Sequence, residues 1–332
     1  MKTIRGANIL FPVTVLSYLA VSFFTGFLAR YIPVPVPVLL VAGEVGIMLP
    51  TVIYCLVTRN NPFRWIQRKR LDLMTILLVV LFTYCMYPLI MVINMFSMFF
   101  ADNAAAGVLD ILSGLPMPAA LLVIAVVPAV FEEFFCRGML YHTYRRRGIW
   151  AGAFISALMF GLLHMNLNQF CYAFFMGIMF VLLIEATGSI YASMLAHFLY
   201  NGTSVVLTYL TASSDSGAAA SGDLSAALEE SGFHALFPDM PIGFLQDVFL
   251  AAGILIMGFI AIATTALAVL LLIAIAKRNG RFGHLRVLFS PKKRKAAESA
   301  RSIQDKDLKP RYVVDIWAVL GIVLCIAMFF IL

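Results

Sequence analysis

The chain has 332 residues, of which 62% are hydrophobic and 12% are charged, and its formal net charge at pH 7 is +7. A soluble globular domain has roughly 45–50% apolar and about 25% charged residues, so the composition excludes an ordinary soluble protein. Apolar runs of about 20 residues, the length that crosses a hydrocarbon core, recur along the chain. We therefore predict an all-α polytopic membrane protein, with one transmembrane helical bundle over residues 1–332.

Apolar windows predict nine transmembrane helices, with eight as an alternative count. The first follows only two basic residues and lacks a small-residue cleavage site, so we interpret it as a retained anchor. In chain order the predicted helices cover residues 8–29, 35–58, 73–100, 117–142, 149–166, 169–186, 189–210, 245–276 and 313–332.

The loops between these helices differ in charge. Residues 59–70, 144–147 and 277–295 are basic, whereas 101–110 and 213–232 carry acids and no lysine or arginine. Nine spans with a cytoplasmic N-terminus put every basic loop inside, as the positive-inside rule requires. We therefore expect a multi-pass protein of the cell membrane, in contact with the lipid bilayer, and we expect no nucleic-acid partner.

Two longer segments lie between the predicted helices. Residues 211–243 are predicted to form an external loop, and residues 277–312 a basic cytoplasmic loop that faces anionic lipid headgroups. The five cysteines all lie within apolar runs and form no CxxC pair. A disulfide framework or a structural zinc site is therefore not expected.

The fourth predicted helix carries three charged residues inside an apolar run. Such residues cost at least about 2.5–3.5 kcal/mol near the bilayer centre and mark a functional site by default. Glu133 and Arg137 are four residues apart, so they share one helix face and are expected to form an orienting ion pair. Glu132 lies about 100° further around the helix and is expected to stay free for chemistry.

Further polar residues lie within the apolar windows. His164 is on the fifth predicted helix, and His197 and Asn201 share one face of the seventh because they are four residues apart. A rise of about 1.5 Å per residue places Glu132, His164 and His197 in one layer of the inner half of the membrane. We expect these side chains to line a cavity that opens to the cytoplasm.

The other acids near the predicted spans have no motif around them, and we assign them no chemistry. Phe160 is expected to contribute packing only. The acids without an assigned role are Glu44, Glu185, Asp247 and Asp315.

Three short motifs occur in order on separate predicted helices. They are EEFFCR at 132–137, FGLLH at 160–164 and HFLYN at 197–201, which match the patterns EExxxR, FxxxH and HxxxN. The sequence thereby resembles the CAAX-protease and bacteriocin-processing family (CPBP, also called Abi), whose intramembrane proteases are related to the Ras-converting CAAX endopeptidase. The resemblance covers about residues 117–205, which we expect to form the catalytic core.

The resemblance implies that Glu132 and His164 activate a water molecule, while His197 and Asn201 stabilise the tetrahedral intermediate. The residues themselves agree with this chemistry. A glutamate can take a proton from water, and histidine and asparagine can donate to a developing oxyanion. The implied substrate is a membrane-associated protein, either prenylated, leader-type or unprenylated.

Several alternatives stay open at this point. Two histidines and a carboxylate could form a catalytic zinc site, so both metal-free catalysis and a divalent metal such as zinc are compatible with the sequence. Motifs of other intramembrane proteases, HExxH, GxGD and GxSG, do not occur. A proton-coupled transporter would also carry glutamate and histidine in its spans. A non-catalytic immunity or regulatory protein could keep the motifs as a scaffold.

Overall fold

The computed structural model is built from helices. It describes residues 3–101, 114–212, 239–294 and 313–331, together with positions 103, 108, 228, 229, 232, 233, 236 and 237. Most of the predicted external loop 211–243 lies outside the described residues, as do residues 295–312 of the predicted basic loop. Within the described part of the chain the only β-type pairing is an isolated bridge between Arg68 and Ser189.

We number the principal helices of the described residues in chain order. They are α1 Ile4–Leu28, α2 Val36–Val57, α3 Leu73–Ser97, α4 Met117–Tyr144, α5 Ile149–Leu163, α6 Leu167–Thr187, α7 Ile190–Ala212, α8 Ile242–Arg278, α9 Phe282–Leu288 and α10 Ile316–Met328.

The predicted all-α polytopic fold is confirmed, and each predicted helix corresponds to one observed helix. Six of them, α1, α2, α3, α4, α6 and α8, are long and apolar enough to cross a membrane. The sequence predicted nine such spans, and the difference lies in α5, α7 and α10. Helices α5 and α10 have only 15 and 13 residues, and the 23-residue α7 carries the polar HFLYN motif.

Local backbone signals explain why α5 and α10 are shorter than their predicted apolar windows. Helix α5 begins after Gly148, whose φ of 150° favours glycine, and ends before Met165, whose φ is +49°. Helix α10 begins at Ile316, directly after Asp315, whose carboxylate accepts from the backbone N–H groups of Trp317 and Ala318. An aspartate in this N-cap position sets the start of a helix more strongly than hydropathy does.

Among the six helices long enough to cross a membrane, α6 and the motif-bearing α4 are the most enclosed by other helices. In the most apolar window of each span, 61% of α6 and 44% of α4 are buried inside the protein, against 28% in α1, α2, α3 and α8. Helix α7 packs against α3, α4 and α6. The polar groups of α4 and α7 therefore face protein and not lipid.

Part of the predicted loop 277–312 is helical, because α9 folds back onto the end of α6. Its His284 Nε2 lies 2.5 Å from Glu185 Oε2, and Arg281 Nη2 lies 3.3 Å from the same oxygen. From α4, Tyr141 donates to Glu185 Oε1 at 2.6 Å, and Arg145 Nη2 lies 3.0 Å from that oxygen. Glu185, to which the sequence assigned no chemistry, thus joins α4, α6 and α9.

Candidate active site

Helix α4 changes its hydrogen-bond pattern on both sides of its two acids. The α-helical segment Val127–Glu133 lies between the π-helical segments Leu122–Val126 and Phe134–Tyr141. Such π turns are rare and occur often at functional sites. The sequence motifs did not predict them, because EExxxR fixes residue types and not the pitch of the helix.

Pro128 leaves a backbone acceptor for α7. A proline has no N–H group, so it cannot donate to the carbonyl of Ile124 four residues earlier. Asn201 Nδ2 donates to Ile124 O at 2.9 Å. This contact fixes the carboxamide of Asn201 with its nitrogen toward α4, because a carbonyl oxygen only accepts.

Glu133 and Arg137 form the ion pair that their spacing predicts. Arg137 Nη1 lies 2.7 Å from Glu133 Oε1, and both side chains are fully buried. The Cζ atom of Arg137 lies 4.1 Å from the ring centroid of Phe160 and 5.0 Å from that of Phe180. These cation–π contacts compensate in part for the water that the guanidinium has lost. Phe160 therefore packs on the charged pair itself.

His197 lies between the two acids of α4. Its Nδ1 lies 3.2 Å from Glu133 Oε1, and its Nε2 lies 3.7 Å from Glu132 Oε2. Asn201 Nδ2 lies 3.3 Å from the same Nε2. Because the Asn201 nitrogen can only donate, we assign the imidazole as neutral, with its hydrogen on Nδ1 and directed to Glu133.

The sequence led us to expect that Glu132 points away from the Glu133–Arg137 pair. In the structure, both glutamates contact the same histidine ring from α7. An angle of about 100° separates their positions on the helix, but the imidazole presents one nitrogen to each. Glu133 can therefore pair with Arg137, as predicted, while both acids contact His197.

Glu132 keeps an acceptor that no protein group uses. Its side chain is 10% exposed, and Oε2 has no hydrogen-bond donor among the described residues. The 3.7 Å separation from His197 Nε2 is too long for a direct hydrogen bond. A water oxygen about 2.8 Å from both atoms is compatible with this separation.

His164 reaches the site through Phe160. It caps the C-terminus of α5, and its Nδ1 lies 3.0 Å from the backbone oxygen of Phe160. The Phe160 ring centroid lies 5.1 Å from that of His164 and 5.7 Å from that of His197. The bond to Phe160 places the hydrogen on Nδ1 and leaves Nε2 of His164 available to other groups.

Helix α2 contributes a carboxyl that the motifs do not include. The Glu44 side chain lies within hydrogen-bonding reach of the Glu132 side chain. Tyr18 of α1 and Tyr172 of α6 lie close enough to interact electrostatically with Glu132. An acid in an apolar span was the available sequence signal for Glu44. Sequence alone did not show that α2 packs against α4.

The described residues do not fit the zinc site that the sequence left open. No three His, Cys, Asp or Glu side chains of the described chain are grouped so that they could hold a metal ion. Both ring nitrogens of His197 have protein partners, Glu133 and Asn201. We therefore route no chemical step through a metal.

Comparison with known proteins identifies one part of the chain. Residues 114–203 match the model of the type II CAAX prenyl endopeptidase Rce1-like family. This segment contains all three motifs, so the resemblance predicted from them is confirmed there. No curated protein and no solved structure is significantly similar to the chain. The match supports a CAAX-type intramembrane endopeptidase in general, and together with the apolar helices it indicates a multi-pass membrane protein.

Proposed function

We propose that the protein is an intramembrane endopeptidase that cleaves a peptide bond of a membrane-associated protein, with Glu132 as the general base. The observation that carries this proposal is the free Oε2 of Glu132. This oxygen is buried, has no donor among the described residues, and lies 3.7 Å from His197 Nε2. A carboxylate oxygen without a partner in an enclosed site is suited to accept a proton from water.

The reaction needs only water and the substrate. Glu132 takes one proton from the water molecule as the water oxygen bonds to the carbonyl carbon, and the carbonyl π electrons move to the oxygen. The tetrahedral intermediate then collapses, the C–N bond breaks, and the proton passes from Glu132 to the leaving nitrogen. The carboxylate is regenerated, and the products are an acid and an amine.

Asn201 and His197 are proposed to stabilise the negative oxygen of the intermediate. Asn201 already donates to Ile124 O, and its second N–H is directed to His197 Nε2 at a long 3.3 Å. A charged oxygen is the stronger acceptor, so the substrate can replace this second contact. His197 faces the same space and can donate there when the single hydrogen of its neutral ring lies on Nε2 instead of Nδ1.

His164 is proposed to act with Glu132 on the water molecule. The Nδ1 atom of His164 is held by Phe160, which leaves Nε2 to accept or donate within the site. Phe160 also packs on Arg137 and His197. The position of His164 is therefore coupled to the ion pair and to the proposed oxyanion donors.

A cleavage assay in proteoliposomes tests the proposal. Two versions of one membrane peptide that ends in a CAAX sequence, one farnesylated and one not, are mixed with a library of membrane peptides, and new termini are identified by mass spectrometry. We expect the wild type to cleave and Glu132→Gln to lose about 10²–10⁴-fold in rate, the usual contribution of a general base. The two CAAX peptides separate a prenyl requirement from general membrane association.

Asp247→Asn is the matched control, because Asp247 is an exposed acid on α8. This variant should cleave at the wild-type rate. Equal products at equal rates from wild type and Glu132→Gln would overturn the protease proposal, and the non-catalytic regulatory role or proton-coupled transport would then be the better account.

The proposal includes a cytoplasmic N-terminus and a site that opens to the cytoplasm. Among the described residues, α8 is the one candidate span between positions 214 and 292 of the chain, so reporters fused after Ser214 and after Lys292 should lie on opposite sides of the membrane. The basic segment at Lys292 should be cytoplasmic. Reporters on the same side would contradict this topology, and an external Lys292 would contradict the cytoplasmic opening.

A further inference from the structure

Helix α2 is held in close contact with α1 by two glycines on either side of Glu44. A Cβ atom at Gly46 would lie 3.0 Å from the Cα of Tyr18, and one at Gly43 would lie 3.1 Å from Cε2 of Tyr18. Residue 44 lies about 100° around the helix from residue 43, away from this contact. Helix α2 also packs against Val127–Glu133 of α4. The backbone therefore directs Glu44 to the segment that carries Glu132.

The Glu44 and Glu132 carboxyls lie within hydrogen-bonding reach of each other. Ionised carboxylates only accept hydrogen bonds, so a bond between them requires one proton on the pair. Oε2 of Glu44 and Oε2 of Glu132 are both buried, and neither has a donor among the described residues. A proton on the pair would supply one donor, and the carboxylate of Glu132 that accepts it keeps lone pairs for the water molecule.

The charged and titratable groups around the pair come from every helix packed on it. Tyr18 faces it from α1, Tyr172 from α6 and His197 from α7. On α4, Glu133 is adjacent and Arg137 pairs with Glu133. The cation on the same helix is thus already engaged, and two adjacent carboxylates that lack a cation of their own share a proton readily.

We propose that Glu44 is a positioning residue for the base: it holds the shared proton and donates a hydrogen bond to Glu132, which orients the carboxylate of Glu132 toward the water. The inference rests on the proposed function, since it assigns a partner to the base of that reaction. The proton of Glu44 stays on Glu44 throughout, and Glu132 takes its proton from water and returns it to the leaving nitrogen. The site is then completed by a helix outside the matched residues 114–203.

Two substitutions at Glu44 distinguish the loss of the hydrogen-bond donor from a change in side-chain size. Glu44→Gln keeps an N–H donor toward Glu132, whereas Glu44→Leu has none. We expect Glu44→Leu to lower kcat by about 10²-fold, the cost of misplacing a catalytic group by about 1 Å. The KM and Tm of Glu44→Leu should stay at the wild-type values. Glu44→Gln should keep most of the wild-type kcat. Thr51→Val, which removes another buried polar group from α2, is the control and should keep the wild-type kcat.

A merely structural role would give a different result. In that case kcat would fall only with Tm and with the folded fraction, and Gln and Leu would be equally impaired. Either of these outcomes, or a wild-type kcat in Glu44→Leu, would overturn the inference. A loss in Glu132→Gln together with full activity in Glu44→Leu would overturn this inference alone, whereas full activity in Glu132→Gln would overturn the proposed function.

Infrared difference spectroscopy tests the shared proton without activity and without the leucine variant. Wild type minus Glu44→Gln should show the carbonyl band of a protonated carboxylic acid, because the amide replaces the protonated member of the pair. The spectrum of wild type minus Asp247→Asn should not show this carbonyl band. Finding no such band in the Glu44→Gln difference would overturn the inference.

Discussion

Arg137 Nη1 and Glu133 Oε1 lie 2.7 Å apart, and neither side chain has exposed surface. Removing one partner of a buried ion pair leaves an uncompensated charge, which costs about 3–5 kcal/mol. We therefore expect Arg137→Met to lower the free energy of unfolding by about that amount, measured by denaturation in detergent.

Two variants serve as controls for this prediction. Arg278→Met breaks an exposed pair with Asp72 and should change stability little. Glu132→Gln should leave stability nearly unchanged or raise it, because the amide keeps an acceptor oxygen and removes a buried charge. An equal loss in Arg137→Met and Glu132→Gln would contradict the different roles assigned to the two glutamates.

The contacts of Glu185 predict how α9 is held on the bundle. His284 and Arg281 of α9 both reach the fully buried Glu185 carboxylate, which also accepts from Tyr141. Hydrogen bonds to a charged group contribute about 1.5–3 kcal/mol each. Glu185→Gln should therefore release α9 and speed cleavage by trypsin after Arg286, because the backbone there is then no longer held in a docked helix. Arg286 is exposed, so digestion at this residue as slow as in the wild type would contradict this account.

The sequence predicted the helices well because hydropathy is a local property, and each apolar window became a helix. It also predicted which polar residues of α4 and α7 lie on the same helix face, since residues four apart share a face. The Glu133–Arg137 pair follows from that spacing alone. The start of α10 at Ile316 does not follow from hydropathy, because the N-cap Asp315 sets it three residues inside the predicted window 313–332.

The part of the site that the sequence did not predict depends on which helices pack against each other. Glu44 was visible as an acid in an apolar span, but no local pattern predicts that α2 packs against α4. The same holds for α9, since the basic segment 277–295 satisfied the positive-inside rule as a loop and gave no reason to dock on Glu185. Long-range contacts of this kind are set by the packing of the whole bundle.

Asp72 gives a prediction on pH. The backbone N–H of Thr75 and the Arg278 guanidinium hold the pKa of Asp72 at about 2, below its ordinary value of 3.8. The folded state thus prefers the ionised form, so the stabilisation is fully present above pH 4 and is lost as pH falls toward 2. Asp72 is exposed, and its effect is small. Asp72→Asn should have a lower Tm than wild type at pH 6, and the difference should vanish near pH 2. A difference that stays constant with pH would contradict the assignment.

Metal removal tests the chemistry of the site directly. Because the described residues offer no group of three metal ligands, we expect purified protein to keep its cleavage rate after treatment with a strong chelator. The measurement is the rate in proteoliposomes before chelation, after it, and after zinc is added back. A loss that zinc restores would show that a metal takes part and would replace the metal-free role of Glu132.

Asn201 distinguishes oxyanion stabilisation from simple packing. Its Nδ2 donates to Ile124 O at 2.9 Å, which fixes the second N–H toward the space between Glu132 and His197. Removing one oxyanion donor typically costs about 10²–10³-fold in kcat, so Asn201→Ala should lose about that much with little change in KM. Ser204→Ala on the same helix is the control: the Ser204 hydroxyl donates to Tyr200 O at 3.3 Å and lies within hydrogen-bonding reach of Tyr87 on α3. A change confined to KM, or a kcat equal to that of Ser204→Ala, would remove Asn201 from the catalytic group and leave it as a helix contact to α4.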